Sequence, residues 1–206
     1  MFQDTITTEE RRVSRPRLMV IIASTRPGRI GKPVADWFVQ QAMEHGGFDV
    51  EIVDLALLNL PFMDEPNHPL LRQYVHQHTK DWSAMVDRSD AFVFVMPEYN
   101  YGFNAALKNA IDYLFYEWNY KPVGFVSYGG ISAGTRAVQM IKQVVTTLKM
   151  MPVVEAVSIP FVPQFLQDGH IEPNEAMNVA AGAMLAELLR WTASLEPMRS
   201  RESAVA

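Results

Sequence analysis

Cysteine is missing altogether from this chain of 206 residues, which removes disulfides, thiolate zinc sites, iron–sulfur clusters and a cysteine nucleophile together. Histidine is scarce: His45, His68 and His170 are scattered, and His76 and His78, two apart, would point to different faces of a helix and make a poor metal pair. No G-x-S-x-G elbow appears either. Blocks of like charge are absent too. With 18 basic against 23 acidic residues the formal net charge is -5, so the basic stripe that nucleic acid requires is not there. No apolar run reaches bilayer-crossing length, and the opening "MFQDTITTEERRVSRPR" lacks the apolar core of a secretory signal. A soluble, cytoplasmic chain without metal, membrane or nucleic-acid partner is expected.

What is present is the balance of an ordinary globular domain, 49% hydrophobic and 20% charged. One domain over residues 17–196 is expected, between loose tails at 1–16 and 197–206. Five Val-, Ile- and Phe-rich runs recur: "LMVIIAS" (18–24), "FDVEIVDL" (48–55), "AFVFVMP" (91–97), "KPVGFVSYGG" (121–130) and "MPVVEAVSIP" (151–160). The first, third and fourth are nearly continuous in apolar character, as central strands covered on both faces should be. The second alternates, Val50, Ile52 and Leu55 against Glu51 and Asp54, and belongs at an edge.

Helical periods fill the intervals: Pro33 to His45, one kinked or two short helices across 68–89, Asn104 to Tyr116, Thr135 to Lys149 and Asn174 to Leu195. Strands alternating with helices specify an α/β fold, a doubly wound five-stranded parallel sheet with helices on both faces. Its ligand crevice lies outside the carboxyl ends of the strands. Three loops should meet there, "STRPGRIG" (24–31), "PEYNYG" (97–102) and "SYGGISAG" (127–134).

The first loop leads a buried strand into a helix, where free N–H groups and the positive helix end converge on an anion. Ser24 and Thr25 add hydroxyls and Arg26 and Arg29 add charge, a set suited to a phosphate monoester. A dinucleotide is the rival, with Asp54 as the ribose-binding acid, but Gly28 and Gly31 do not spell G-x-G-x-x-G. In the second loop the flat faces of Tyr99 and Tyr101 beside Pro97, Asn100 and Gly102 suit a planar heterocycle. Gly129, Gly130 and Gly134 in the third would let a flat ring approach the backbone, with Ser127 and Tyr128 adding hydrogen-bonding groups.

On "ASTRPGRIGKPVADW", "MPEYNYGFNAALKNAIDYL" and "SYGGISAGTRA", the chain resembles the NADPH-dependent FMN reductases, flavodoxin-like enzymes that include quinone, azo-dye and chromate reductases. The resemblance covers roughly residues 17–165. It implies that Ser24, Arg26, Arg29, Ile30 and Gly31 hold the flavin phosphate, that Pro97, Glu98, Tyr99 and Asn100 line the isoalloxazine ring, and that Ser127, Tyr128, Gly129 and Gly130 bound it on another side. The chain has Ala23 where many relatives have glycine and "PGRIG" where many have a serine-containing turn, so the division of phosphate binding between Arg26 and Arg29 stays open.

The function so implied is FMN-dependent transfer of hydride from NADPH or NADH to a small acceptor (free flavin, quinone, azo compound or metal oxyanion) by ping-pong turnover. No catalytic side chain is required, since the cofactor carries the chemistry. A flavodoxin-like electron carrier or flavin-binding regulatory module is the alternative. In "IDYLFYEWNY" (111–120), Ile111, Leu114, Phe115 and Trp118 would form one helical stripe and Tyr113, Tyr116 and Tyr120 a second. The second stripe, on a helix within 104–120, would join a homodimer or homotetramer, as family members commonly do; an aromatic lid on the chain's own core is the plainer reading.

Overall fold

The computed structural model describes residues 15–202, so most of the expected N-terminal tail lies outside the described residues. β1 (Arg17–Ile22), β2 (Asp49–Asp54), β3 (Ala91–Pro97) and β4 (Pro122–Tyr128) pair in parallel. Two short strands, β5 (Met151–Pro152) and β6 (Val157–Ile159), both run beside β4, and the order is β2-β1-β3-β4-β5. The alternating run is indeed an edge strand and the continuous runs are interior. The fifth run is interrupted: Val153 keeps its bond to Val123, but Val154 is thrown outward to 83% exposure before pairing resumes at Val157.

The sheet separates two cores. Leu18, Val20, Val93, Val95 and Val126 face α1 (Gly31–His45) and the final helix. Met19, Ile21, Phe92, Phe94 and Phe125 face the opposite side, covered by α3 (Gln77–Asp87), α4 (Ala105–Asp112) and α5 (Thr135–Thr147). This period of two follows from the pleat, each strand sending alternate side chains to opposite layers. The unexpected α2 (Leu55–Leu58) follows β2 directly, its N-terminus capped by Asp54, and a small hairpin, β7 (Leu166–Gln167) with β8 (His170–Ile171), precedes the last helix. That helix, α6 (Glu175–Glu202), continues through Pro197 beyond the expected Leu195 and into the segment expected to be loose. Arg199 holds its end down through Asp90 and the Tyr120 carbonyl, each at 3.3 Å.

The expected helix to Tyr116 stops at Asp112. Its last carbonyls are claimed by side chains, Ala110 by the Trp82 indole at 2.8 Å and Ile111 by the Trp118 indole at 3.2 Å. The buried Glu117 carboxylate takes the Phe115 N–H at 3.3 Å, together with the hydroxyls of Tyr74 and Ser83. The two aromatic stripes therefore never form. Tyr113, Leu114 and Trp118 are buried in the chain's own core. His76, likewise, precedes α3 in extended conformation rather than lying within it, so its ring stacks on His78 at 5.2 Å, both beside Asp64. Among the described residues no helix is long and apolar enough to cross a membrane, and no group of three His, Asp or Glu residues is placed to hold a metal ion.

Beneath β4 lies a buried cation. Lys121, 5% exposed, donates to the Val86 and Asp87 carbonyls at 2.9 and 2.8 Å, offsetting the negative end of α3. Burial pulls its ammonium from 10.5 down to about 8, only partly opposed by Asp87, Asp90 and Glu117. Between those two values the unfolded chain holds a proton that the folded chain has released, so stability from this residue should rise with pH across that window. Urea unfolding of the wild type and Lys121→Met from pH 7 to 11 should show that rise, by up to about 3 kcal/mol, in the wild type relative to the variant; parallel curves would contradict it.

Candidate flavin site

The register brings the strand ends to one level. Ile22 lies beside Asp54 and Val95, and Pro97 beside Tyr128. β1 and β3 are neighbours although β2 comes between them in the chain, so the order reverses there and the connections diverge to leave a crevice. All three expected loops border it.

The first loop is shaped by Arg29. Its guanidinium forms a bidentate ion pair with Asp54 at 2.7 and 2.5 Å and also donates to the Ser24 carbonyl at 2.7 Å. Both side chains are largely buried, which makes the pair a buckle between the loop and the end of β2. This revises two sequence readings: Arg29 is committed to shaping the loop, and Asp54 is neutralised by it and engaged with the Ala56 N–H, so it is not available to a ribose. Thr25, Arg26, Pro27 and Gly28 remain exposed, and the Arg26 side chain has no ion-pair or hydrogen-bond partner among the described residues. Gly28 sits at φ 69°, where the Arg29 N–H returns to the Arg26 carbonyl. Ile30 then leads into α1, whose start has no side-chain cap and no acidic residue in its first turn. Its positive end is left for a ligand.

The second loop reverses in two residues. Tyr99 and Gly102 exchange backbone hydrogen bonds at 2.9 and 3.0 Å, with Asn100 and Tyr101 both at positive φ, as in a type I′ turn. Glu98, expected beside the ring, turns instead toward α5. Its carboxylate accepts the Arg136 Nε at 2.9 Å and the Arg136 backbone N–H at 3.2 Å, and the same guanidinium lies 3.8 Å over the Tyr101 ring. Two further contacts draw this loop onto the first: the Tyr99 hydroxyl meets Ser24 Oγ at 3.0 Å, and the Asn104 amide donates to the Ala23 carbonyl at 2.6 Å. The sequence reading gives Asn104 only as a helix start and assigns Arg136 no role. Asn104 is the N-cap of α4 and Arg136 the second residue of α5, each following a glycine-containing loop, which is the available signal.

In the third loop Ser127 is fully buried and donates to the Ala133 carbonyl at 2.8 Å, so its side chain faces away from any ring. Gly129 and Gly130 are tied to the fifth-strand region through Ile159, Phe161 and Val162, and a side chain added at Gly130 would meet only open space. Tyr128 departs most from expectation. Its ring is buried on the α1 side of the sheet, and its hydroxyl reaches the first turn of α1, where a Cβ on Gly31 would come within 2.5 Å. Of the residues expected to face a ligand, Arg26, Asn100 and Gly130 are exposed on their loops and Ser24 and Gly31 are buried, while the side chains of Arg29, Glu98 and Ser127 are engaged within the chain.

A neutral cleft adjoins the crevice, between α2 and α4, lined by Thr25, Leu55, Leu60, Phe62, Ala106 and Ala110. Phe62 is 84% exposed at its edge.

The fold recurs in solved structures, whose low identity makes them evidence of fold alone. The flavoenzyme NAD(P)H:(acceptor) oxidoreductase FerB of Paracoccus denitrificans superposes with a TM-score of 0.68 at 18% identity, over 87% of this chain and 98% of that one. An archaeal flavodoxin superposes with a TM-score of 0.54 at 10% identity, over 85% of this chain and 98% of that one. In sequence, an NAD(P)H-dependent FMN reductase of Schizosaccharomyces pombe is 41% identical over 149 residues, 70% of this chain and 74% of its own. Another, of Saccharomyces cerevisiae, is 34% identical over 143 residues, 64% of this chain and 74% of its own. The profile of NADPH-dependent FMN reductases matches residues 16–164. That span runs from just before β1 to beyond β6 and takes in all three loops, and the chain accordingly belongs to the NADPH-dependent FMN reductase family, a family of oxidoreductases.

Proposed function

We propose that this chain binds FMN in the crevice and uses it to oxidise NADPH or NADH and reduce a small acceptor (a free flavin, quinone, azo compound or metal oxyanion) in two separate half-reactions. The observation that carries this reading is the uncapped start of α1 with the unpaired Arg26 and the buried Ser24 hydroxyl on one loop. Donors and positive charge converge there without an internal acid to answer them, as a terminal phosphate needs. The backbone of Glu98–Asn100 and the glycines at 129 and 130 offer surfaces with little side-chain bulk beside it, which fits a planar ring. When bound, FMN supplies the hydride acceptor and donor, so the polypeptide needs no acid–base pair or nucleophile of its own.

The chain's own work is to hold and to orient. Arg26, Ser24 and the α1 N–H groups fix the phosphate end, while Glu98 and Arg136 hold the second loop to a single shape. The crevice is open to solvent at Tyr101, Gly130 and Ile131, which leaves one face for donor and acceptor to occupy in turn. A cytoplasmic address, where NADPH and NADH are plentiful, suits this use. So does a homo-oligomer. The pairing surface proposed from sequence moves from the aromatic segment to the face around the α2–α4 cleft, where Phe62 stands exposed beside the alanines of α4 and Leu57 is exposed on α2. A projecting ring and a small-residue hollow on one face are self-complementary under a two-fold axis.

The purified protein should show a flavin spectrum that bleaches with NADPH under anaerobic conditions, with parallel double-reciprocal plots when donor and acceptor are varied. A flavin that stays oxidised would favour the electron carrier, and a colourless chain that cannot take up FMN would end both readings. Arg26→Ala should weaken FMN binding by about 1.5–3 kcal/mol in a fluorescence titration, the usual range for a charged hydrogen bond; undiminished affinity would remove Arg26 from the site. Light scattering should find more than one chain per particle, and Phe62→Glu should reduce the mass toward the monomer.

A further inference from the structure

The Tyr128 hydroxyl is an unexplained buried polar group. Tyr128 is 6% exposed, and its oxygen completes no hydrogen bond, although the Ser24 side chain, itself bonded to the Tyr99 hydroxyl, lies close by. Leaving a hydroxyl buried and unpaired costs about 1–3 kcal/mol, and phenylalanine would fill the same space without that cost. The placement argues for an absent acceptor. β4 sends Tyr128 to the α1 side of the sheet, and the hydroxyl emerges against Gly31, the first residue of α1, where only a residue without a side chain leaves room for it.

Most polar groups around that point can donate. The helix start is uncapped, Ser24 and Tyr99 bring hydroxyls, and Arg26 stands on the same loop. The Asp54 carboxylate is held by Arg29. Burial, with Tyr99 as the next contribution and only partly opposed by Ser24 and Arg29, raises the Tyr128 phenol above its ordinary value, so it remains a donor through the neutral range. A cluster of donors with one left unanswered fits an oxyanion with several acceptor oxygens.

We propose that Tyr128 anchors the terminal phosphate of the bound flavin nucleotide, donating from beneath to an oxygen seated at the first turn of α1. The role differs from the ring-bordering one expected from sequence, and it makes β4 a contributor to both ends of the ligand. It rests on the reading of the crevice as an FMN site.

Tyr128→Phe tests this with little disturbance, since the hydroxyl it removes bonds nothing in the unliganded chain. With flavin removed from the full chain and returned by fluorescence titration, the variant should bind FMN on the order of 10-fold more weakly and riboflavin, which lacks the phosphate, as well as the wild type does. Its melting temperature without flavin should equal or exceed the wild type's, and should climb less as inorganic phosphate is added. Unchanged FMN affinity, or equal losses for FMN and riboflavin, would overturn the anchoring role while leaving the flavin site intact. A wild type that prefers FMN to riboflavin by nothing would overturn the phosphate reading itself and the anchor with it.

Discussion

The Arg29–Asp54 pair is the constraint on which the rest of the crevice depends. It joins a loop to a strand end 25 residues away, at a point where the sheet gives no hydrogen bonds of its own. By also taking the Ser24 carbonyl, Arg29 bends the loop back on itself and leaves the α1 start pointing into the crevice. Desolvating two charges is costly, and the pair repays this only because its geometry is bidentate and each partner has a further hydrogen bond. Removing either partner would leave the other's charge stranded in a low-dielectric site, with a penalty of about 3–5 kcal/mol. A lysine could not replace Arg29, because a point charge cannot span both carboxylate oxygens and the carbonyl at once.

The remaining loops show the same economy. Glu98 and Arg136 fix the second loop, Ser127 fixes the third, and Tyr99 and Asn104 fasten the second to the first. The most chemically suggestive side chains are therefore mostly turned inward, and what faces the crevice is backbone, one free arginine and a few hydroxyls. Such a site suits a ligand held by shape and charge rather than by reaction with a side chain, in keeping with a cofactor that brings its own chemistry.

Much of this could be read from the sequence because periodicity is set by local geometry. The alternating edge strand at 49–54 and the uninterrupted runs at 17–22 and 91–97 declare their places in the sheet through burial alone. The three loops were legible for the same reason, lying at the ends of those runs. What escaped depended on partners distant in sequence. Nothing near Arg29 announces Asp54, and nothing in "DYLFYEW" announces that Trp82, 28 residues before Ala110, will take a carbonyl that would have continued the helix. The direction of Tyr128 was knowable from the alternation along β4, but its meeting with Gly31 required the packing of α1.

The tethering of Gly129 and Gly130 to Ile159, Phe161 and Val162 sets the rim apart from the floor. The floor is held by main-chain bonds that are indifferent to side-chain identity, whereas Ile131 and Phe161 at the rim have exposed side chains. Substitutions there can accumulate at small thermodynamic risk, so one inherited scaffold can be turned toward new electron acceptors by drift at its edge while its redox heart stays the same.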